Sequence, residues 1–251
     1  MNTISAVVIS KNEEKNIARC IQSLQQVADE IIIIDSFSTD RTKEICLLFD
    51  VRFVERQWQG YSQTKNYGNN IAQHQFILSL DADEVLDREA VQSILEFKNL
   101  AHSHYAYSLN RKNFYGQKWI KYCGWYPDKK IRLFDKNVAF WQGDFVHETL
   151  VVKSDKTEHL AGNILHFTIS DEKHHLQTIE KYAKLAAQMA VSKNQKLTPL
   201  PSLLSGFGRF FKIFVLKLGL LHGSVGFKIA FNSAKSRWLR YRFFKQLTSK
   251  S

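Results

Sequence analysis

The sequence predicts an α/β protein with a mostly parallel sheet, helices on both faces, and a basic amphipathic helical region at the C-terminal end. Three observations carry this. Short apolar runs rich in Ile and Val recur through the first third of the 251-residue chain, segments of helical spacing separate them, and no acidic residue follows Glu180. Apolar runs joined by amphipathic crossovers are the pattern of a parallel sheet covered on both faces.

Residues 4–9 form a β-rich run and read as the first strand, too short an apolar stretch and without the basic leader of a signal peptide. Over residues 14–27, Ile17, Cys20, Ile21 and Leu24 recur at helical spacing. Residues 30–34 are continuously apolar and predict a second strand ending at Asp35. A helix over 42–49, a strand over 51–55, a helix over 64–72 and a strand over 76–80 ending at Asp81 continue the alternation, and a helix over 88–97 closes it. Residues 105–168 are aromatic-rich and irregular, with β-like pieces around 105–109, 131–134 and 164–167. A helix over 172–193 precedes a break at Thr198-Pro199-Leu200-Pro201. The expected division is a catalytic domain, 1–196, with halves 1–100 and 101–196, and a tail, 197–251.

The composition, 44% hydrophobic with three prolines, excludes a disordered chain, a collagen and a small disulfide scaffold. Cys20, Cys46 and Cys123 are widely separated and form no metal-binding spacing, which predicts a reduced, cytoplasmic setting. Net charge is +11, but residues 1–180 carry −3 and residues 181–251 carry +14. The positive charge therefore belongs to the tail.

In parallel sheets ligands bind beyond the carboxyl ends of the strands. There the polar residues gather: Ser10, Lys11, Asn12 and Glu13; Asp35 and Ser36; Asp81, Ala82, Asp83 and Glu84. Two carboxylates at the end of an apolar strand, two residues apart, suit a hard divalent cation shared with a diphosphate. The bland alternative is that Asp83 caps the helix that follows.

The segments Val7–Glu14, Ala28–Asp40, Gln63–Asn66 and Asp81-Ala82-Asp83, in this order and spacing, resemble family 2 glycosyltransferases over roughly the first 100 residues. Gly124–Asp128, Ile131–Phe134 and Val146-His147-Glu148 further resemble the bacterial branch that adds glucose or a similar hexose to the lipopolysaccharide core. The resemblance implies a nucleotide-diphosphate-sugar-binding, Rossmann-like fold of the GT-A type and an inverting, metal-dependent hexosyl transfer. It implies Mg2+ or Mn2+ as cofactor, a UDP-linked sugar as donor and a lipid-linked or lipopolysaccharide acceptor. Residue by residue, Ser10, Asn12, Glu13 and Asp35 would line the nucleoside site, and Lys65 and Arg132 would meet the diphosphate. Asp83 would hold the metal. Asp81 would contact the sugar or ribose or complete the metal's shell, and His147 and His166 would reach the metal or diphosphate. Glu148 and Asp128 are the two possible bases, Glu148 being favoured. Trp119, Trp125, Tyr126 and Trp141 suit stacking on sugar rings but equally suit a core.

In the tail, residues 203–221 look apolar but contain Arg209, Lys212 and Lys217, each costing about 2.5–3.5 kcal/mol at a bilayer centre. On a helical projection Phe207, Phe210, Phe211, Phe214, Leu218 and Leu221 share an arc of roughly 100° away from those cations. This predicts a helix lying on an anionic membrane, peripheral to the inner face of the cytoplasmic membrane, the alternative being that the apolar face packs on the protein's own catalytic domain with the cations solvated. A sugar-nucleotide pyrophosphorylase would need a Gly-rich loop after the first strand, where Ser10-Lys11-Asn12-Glu13 stands instead. A nucleic-acid-binding role for the tail would leave its apolar arc without purpose, so no nucleic-acid partner is expected.

Overall fold

Nearly all of the chain, residues 1–99, 105–143, 148–153 and 157–249, is described by a computed structural model. In chain order, β1 (Ile4–Ser10), α1 (Ile17–Leu24), β2 (Glu30–Asp35), α2 (Thr42–Cys46), β3 (Arg52–Glu55), α3 (Tyr61–Ile71), β4 (Phe76–Asp81), β5 (Glu84–Leu86) and α4 (Arg88–Asn99) come first. Then follow β6 (Ala106–Tyr115), β7 (Lys118–Trp119), β8 (Lys129–Asp135), β9 (Ala139–Gln142), β10 (Thr149–Val152) and β11 (Thr157–Ile169). The last elements are α5 (Glu172–Ser192), α6 (Pro199–Phe211) and α7 (Ser224–Thr248).

Side-chain alternation in the strands builds two cores. Ile4, Ala6 and Val8 of β1, with Ile31 and Ile33 of β2, enter one core and meet Ile17, Cys20, Ile21 and Leu24 of α1 and Ala90, Ile94 and Phe97 of α4. Val7 of β1 and Ile32 and Ile34 of β2 enter the other, against Tyr67 and Ile71 of α3. Runs such as Ile31–Ile34 are apolar throughout because both faces are covered.

The main sheet runs β3-β2-β1-β4-β8-β6-β11-β5, with β7 on β6. Its first four strands are parallel, as expected. The register sets Ser10 opposite Asp35 and Ile9 opposite Asp81, so the polar loops emerge at one edge. Beyond β4 the sheet continues through β8, β6 and β11, drawn from the region that reads as irregular, and ends on β5; β4 with β8, β8 with β6, and β11 with β5 pair antiparallel. The period-two signal is blurred there because the register shifts between Tyr107 and Ser108. β9 and β10 pair separately.

Asp83 does not cap the helix after it. β4 turns through Ala82 and Asp83 into the short strand β5, and α4 is capped by Asp87, whose Oδ1 accepts from Ala90 N at 2.9 Å. Asn163 of β11 donates to both oxygens of the same Asp87. Beside it Gly162 (φ +91°) lies so close to α4 that a Cβ there would fall 2.1 Å from Ala90 N.

By tertiary contact the chain forms two compact units, Met1–Lys112 with Asp128–His166, and Asn113–Pro127 with Phe167–Ser251. This partition follows the fold and not a linear cut at residue 196. The second unit has its own core of Tyr115, Ile120, Cys123, Ile169, Ile213, Ile229 and Ala230. In it α6 is followed by a π-helical turn, Lys212–Leu216, and a 3-10 turn, Gly219–His222, so the arc read over 203–221 is not one helix. All three cysteines are buried and free.

Candidate active site

At the carboxyl edge of the first unit's parallel strands, two loops are braced against each other. Asp35 is fully buried, and its oxygens accept from Ser10 Oγ at 2.7 Å, Ser38 N at 2.6 Å and Ser38 Oγ at 2.6 Å. Asn12 N donates to Ser38 Oγ at 2.7 Å, and Asn12 Oδ1 accepts from Thr39 N at 2.8 Å. Lys11 Nζ donates to the carbonyls of Ser36 and Phe37. These bonds hold Asn12 and Phe37 at φ of 55° and 57°, values a bulky residue adopts only when its surroundings impose them. Ser10, Asn12 and Asp35, picked out by sequence as nucleoside-site residues, are thus brought together as one pre-organised cradle. Phe37 stands on it about half exposed. Lys11, Phe37 and Ser38 lie in the same two segments and complete the cradle, though no sequence pattern marks them for it.

Glu13 follows in the same loop, its N–H donating to Thr42 Oγ1 and its Oε2 accepting from Asn16 Nδ2 at 2.7 Å. Burial, aided by the negative charges of Asp83 and Asp40 and opposed by the Asn16 bond, pushes its carboxyl up to about 7. Glu13 therefore shares the electrostatic field of the Asp83 turn.

Around β4 the charges interlock. Arg132 of β8 is buried and donates to Asp81 Oδ2 at 3.1 Å and to Glu84 Oε1 at 2.6 Å. Glu84, wholly inaccessible, also accepts from Arg111 Nη1 at 3.1 Å, and its Oε2 takes the Asp81 N–H at 3.0 Å, which fixes the turn carrying Asp83. Lys65, almost completely buried, sits 2.9 Å from Asp81 Oδ1, 4.5 Å from the Trp141 ring centre and 3.7 Å from Glu148 Oε1. Burial alone would raise the Asp81 carboxyl; Lys65 and Arg132 hold it far below the ordinary carboxylate range. Glu84 and Arg111 are the members that sequence reading missed. Glu84 was visible beside the paired carboxylates, whereas Arg111 had no local signal.

Asp83 meets His166 of β11, with Oδ2 3.2 Å from Nε2. Burial favours the neutral imidazole, but the Asp83 carboxylate outweighs it and the histidine's pKa is raised. The carboxylate oxygen of Asp83 suits Mg2+ or Mn2+ when water and diphosphate oxygens fill the remaining positions, and the His166 nitrogen is a donor that Mn2+ accepts more readily than Mg2+. No cluster of three such side chains occurs among the described residues. His147 lies outside them.

A cleft of about 280 Å³ is lined by Asp81, Arg111, Arg132, Trp141, Glu148 and Leu150, among others. The two acidic residues considered as bases differ there. Asp128 is clamped by Arg111 Nη2 at 2.7 Å and Lys130 at 3.3 Å, while Glu148 has the long contact to Lys65. Trp141 is buried and packs edge-on to Phe134, a core position. Trp119, Trp125 and Tyr126 belong to the second unit, where Trp119 and Tyr126 pack edge to face.

Residues 5–149 match the family model described as "Glycosyl transferase family 2". An uncharacterized glycosyltransferase of Rickettsia typhi is 27% identical over 264 residues, an alignment covering 100% of this chain and 89% of the relative. The lipopolysaccharide core biosynthesis glycosyltransferase LpsC of Rhizobium meliloti is 27% identical over 206 residues, covering 77% of this chain and 73% of its own. Among solved structures, S. aureus TarS 1–349 in complex with UDP-GlcNAc superposes with a TM-score of 0.49 at 14% identity, covering 99% of this chain and 92% of that one.

Proposed function

The chain belongs to glycosyl transferase family 2, and from that premise we propose that it transfers a hexose, glucose being the expected one, with inversion from a UDP-linked sugar to a lipid-linked saccharide of the lipopolysaccharide core class, using Mg2+ or Mn2+ at the cytoplasmic face of the membrane. The observation that carries the reading is the Asp83 turn. Its carboxylate is not spent on capping α4 and faces His166 Nε2, at the strand end where a diphosphate would lie. LpsC, named for lipopolysaccharide core biosynthesis, supports the class of acceptor.

Ion pairing supports the metal. Lys65, Arg111, Lys130 and Arg132 each lie against one or more of Asp81, Glu84, Asp128 and Glu148, so their charges are partly spent within the protein, although Lys129 also lines the cleft. When bound, a divalent ion would add positive charge at the diphosphate and stabilise its departure. Asp83 and His166 would hold it, His166 first giving up its proton.

Glu148 is the base in this reading, because Asp128 is held by two cations and is correspondingly poor at accepting a proton. Glu148 takes the proton of the acceptor hydroxyl as its oxygen bonds to the anomeric carbon, and the bond from that carbon to the diphosphate breaks on the opposite side. Lys65, between Asp81 and Glu148, keeps both carboxylates in place. Turnover assays with UDP, GDP, ADP and CMP sugars, each with Mg2+ or Mn2+, test the proposal. Metal-dependent transfer from a UDP-hexose is expected, and transfer that is indifferent to metal or selective for another nucleotide contradicts it.

A further inference from the structure

Large apolar side chains are unevenly exposed in this protein. Of the 22 described large hydrophobics that face solvent, 13 lie between Leu200 and Trp238 in the second unit. In α6 they are Leu200, Leu203, Leu204, Phe207 and Phe211, spaced as one helical stripe. Phe207 is 72% exposed, the most of any described aromatic. Phe210 and Phe214, which sequence places on the same arc, are instead partly buried against the second unit's core. Phe210 meets Phe227 of α7 at 5.7 Å and Phe227 stacks on Phe231 at 6.0 Å, so an aromatic row connects α6 with α7.

On α7 the exposed stripe is mixed. Phe227, Phe231, Lys235, Trp238, Arg242 and Lys245 fall within an arc of roughly 100°. Every charge on these helices is positive, since residues 181–251 contain no Asp or Glu. No described helix is long and apolar enough to cross a membrane.

We propose that the α6–α7 face of the second unit is a docking surface for an anionic lipid bilayer, with Leu203, Leu204, Phe207 and Phe211 entering the acyl boundary and Lys235, Arg242 and Lys245 meeting lipid phosphates. Charge complementarity selects this occupant. A second copy of the chain would oppose one basic surface to another, and a nucleic acid would satisfy the cations while leaving the leucines and phenylalanines in water. Bulky apolar groups beside cations match the layering of an interface in which headgroups lie above acyl chains. The inference rests on the proposed placement at the membrane but not on the transfer reaction, and its test requires no substrate.

The test is flotation of the full chain with phosphatidylcholine vesicles, with and without phosphatidylglycerol, at physiological salt. Binding is expected only with phosphatidylglycerol. Leu203→Ser/Phe207→Ser removes exposed side chains and should weaken binding by roughly tenfold or more with the thermal midpoint unchanged. Lys235→Gln/Arg242→Gln should weaken it and flatten its dependence on salt. The proposal is overturned if both double variants bind as the wild type does. It is equally overturned if the chain self-associates through this face or binds duplex DNA while ignoring anionic vesicles.

Discussion

Replacing Arg132 by Met tests whether the buried charge cluster under the Asp83 turn is a mutually dependent unit. The substitution keeps most of the volume and removes the guanidinium that reaches Glu84 at 2.6 Å and Asp81 at 3.1 Å. Breaking a buried ion pair from one side costs about 3–5 kcal/mol, because the remaining charge is left without compensation. Glu84 would keep Arg111 at 3.1 Å and the Asp81 N–H, and Asp81 would keep Lys65 at 2.9 Å, so the lower end, about 3 kcal/mol, applies. For a chain of this size that corresponds to a fall of roughly 6–12 °C in Tm, read by a thermal scan. Adding Glu84→Gln removes the stranded charge and should recover about 1–2 kcal/mol, a coupling typical of contacting groups. A loss under about 1 kcal/mol in the single variant, or strict additivity in the double, would refute the reasoning.

Other outcomes follow from individual contacts. Burial raises the Glu13 carboxyl from 4.5 to about 7, so the folded state holds a proton that the unfolded state releases between those values. Stability should therefore fall as pH rises through that window, by up to about 3 kcal/mol. Glu13→Gln should flatten this slope in Tm measured against pH; an unchanged slope would show that Glu13 is not its source. Ser38→Ala strips two hydrogen bonds from the half-buried cradle, those with Asp35 and Asn12, and should cost about 1–2 kcal/mol and weaken UDP binding measured by calorimetry. Wild-type stability and affinity in that variant would show that the cradle does not depend on the serine. Gly162→Ala places a Cβ 2.1 Å from Ala90 N at φ +91° and should lower Tm by more than any surface substitution, with α4 losing its seat on β11. A neutral result would contradict the close approach of β11 to α4.

The parallel half of the sheet was legible because each strand there announces itself twice, by a run such as Ile31–Ile34 and by the polar residue that ends it. The antiparallel half was not. β6 carries a register shift and a run of four polar residues, Asn110-Arg111-Lys112-Asn113, so its pairing with β8 comes from tertiary contact more than from local pattern. In the site, Asp81, Asp83, Asp35 and Asn12 were readable because they lie at strand ends. Their partners were harder to find. Arg111 arrives from a strand remote in sequence, and no local spacing announces that it meets Glu84; His166, equally remote, was marked by the family resemblance, with no spacing that ties it to Asp83. In the tail the helical projection found an apolar arc, but it could not foresee that Phe210 and Phe214 pack inward on the second unit's core while Phe207 and Phe211 stay outside.

Calorimetric titration of UDP into the protein, with and without Mn2+, in the wild type and in Asp83→Ala, tests the central claim most directly. If the turn after β4 holds a metal for the diphosphate, Mn2+ should tighten UDP binding at least tenfold in the wild type, a coupling of about 1.4 kcal/mol, and should leave the variant unaffected. Undiminished Mn2+ enhancement in Asp83→Ala would contradict the account.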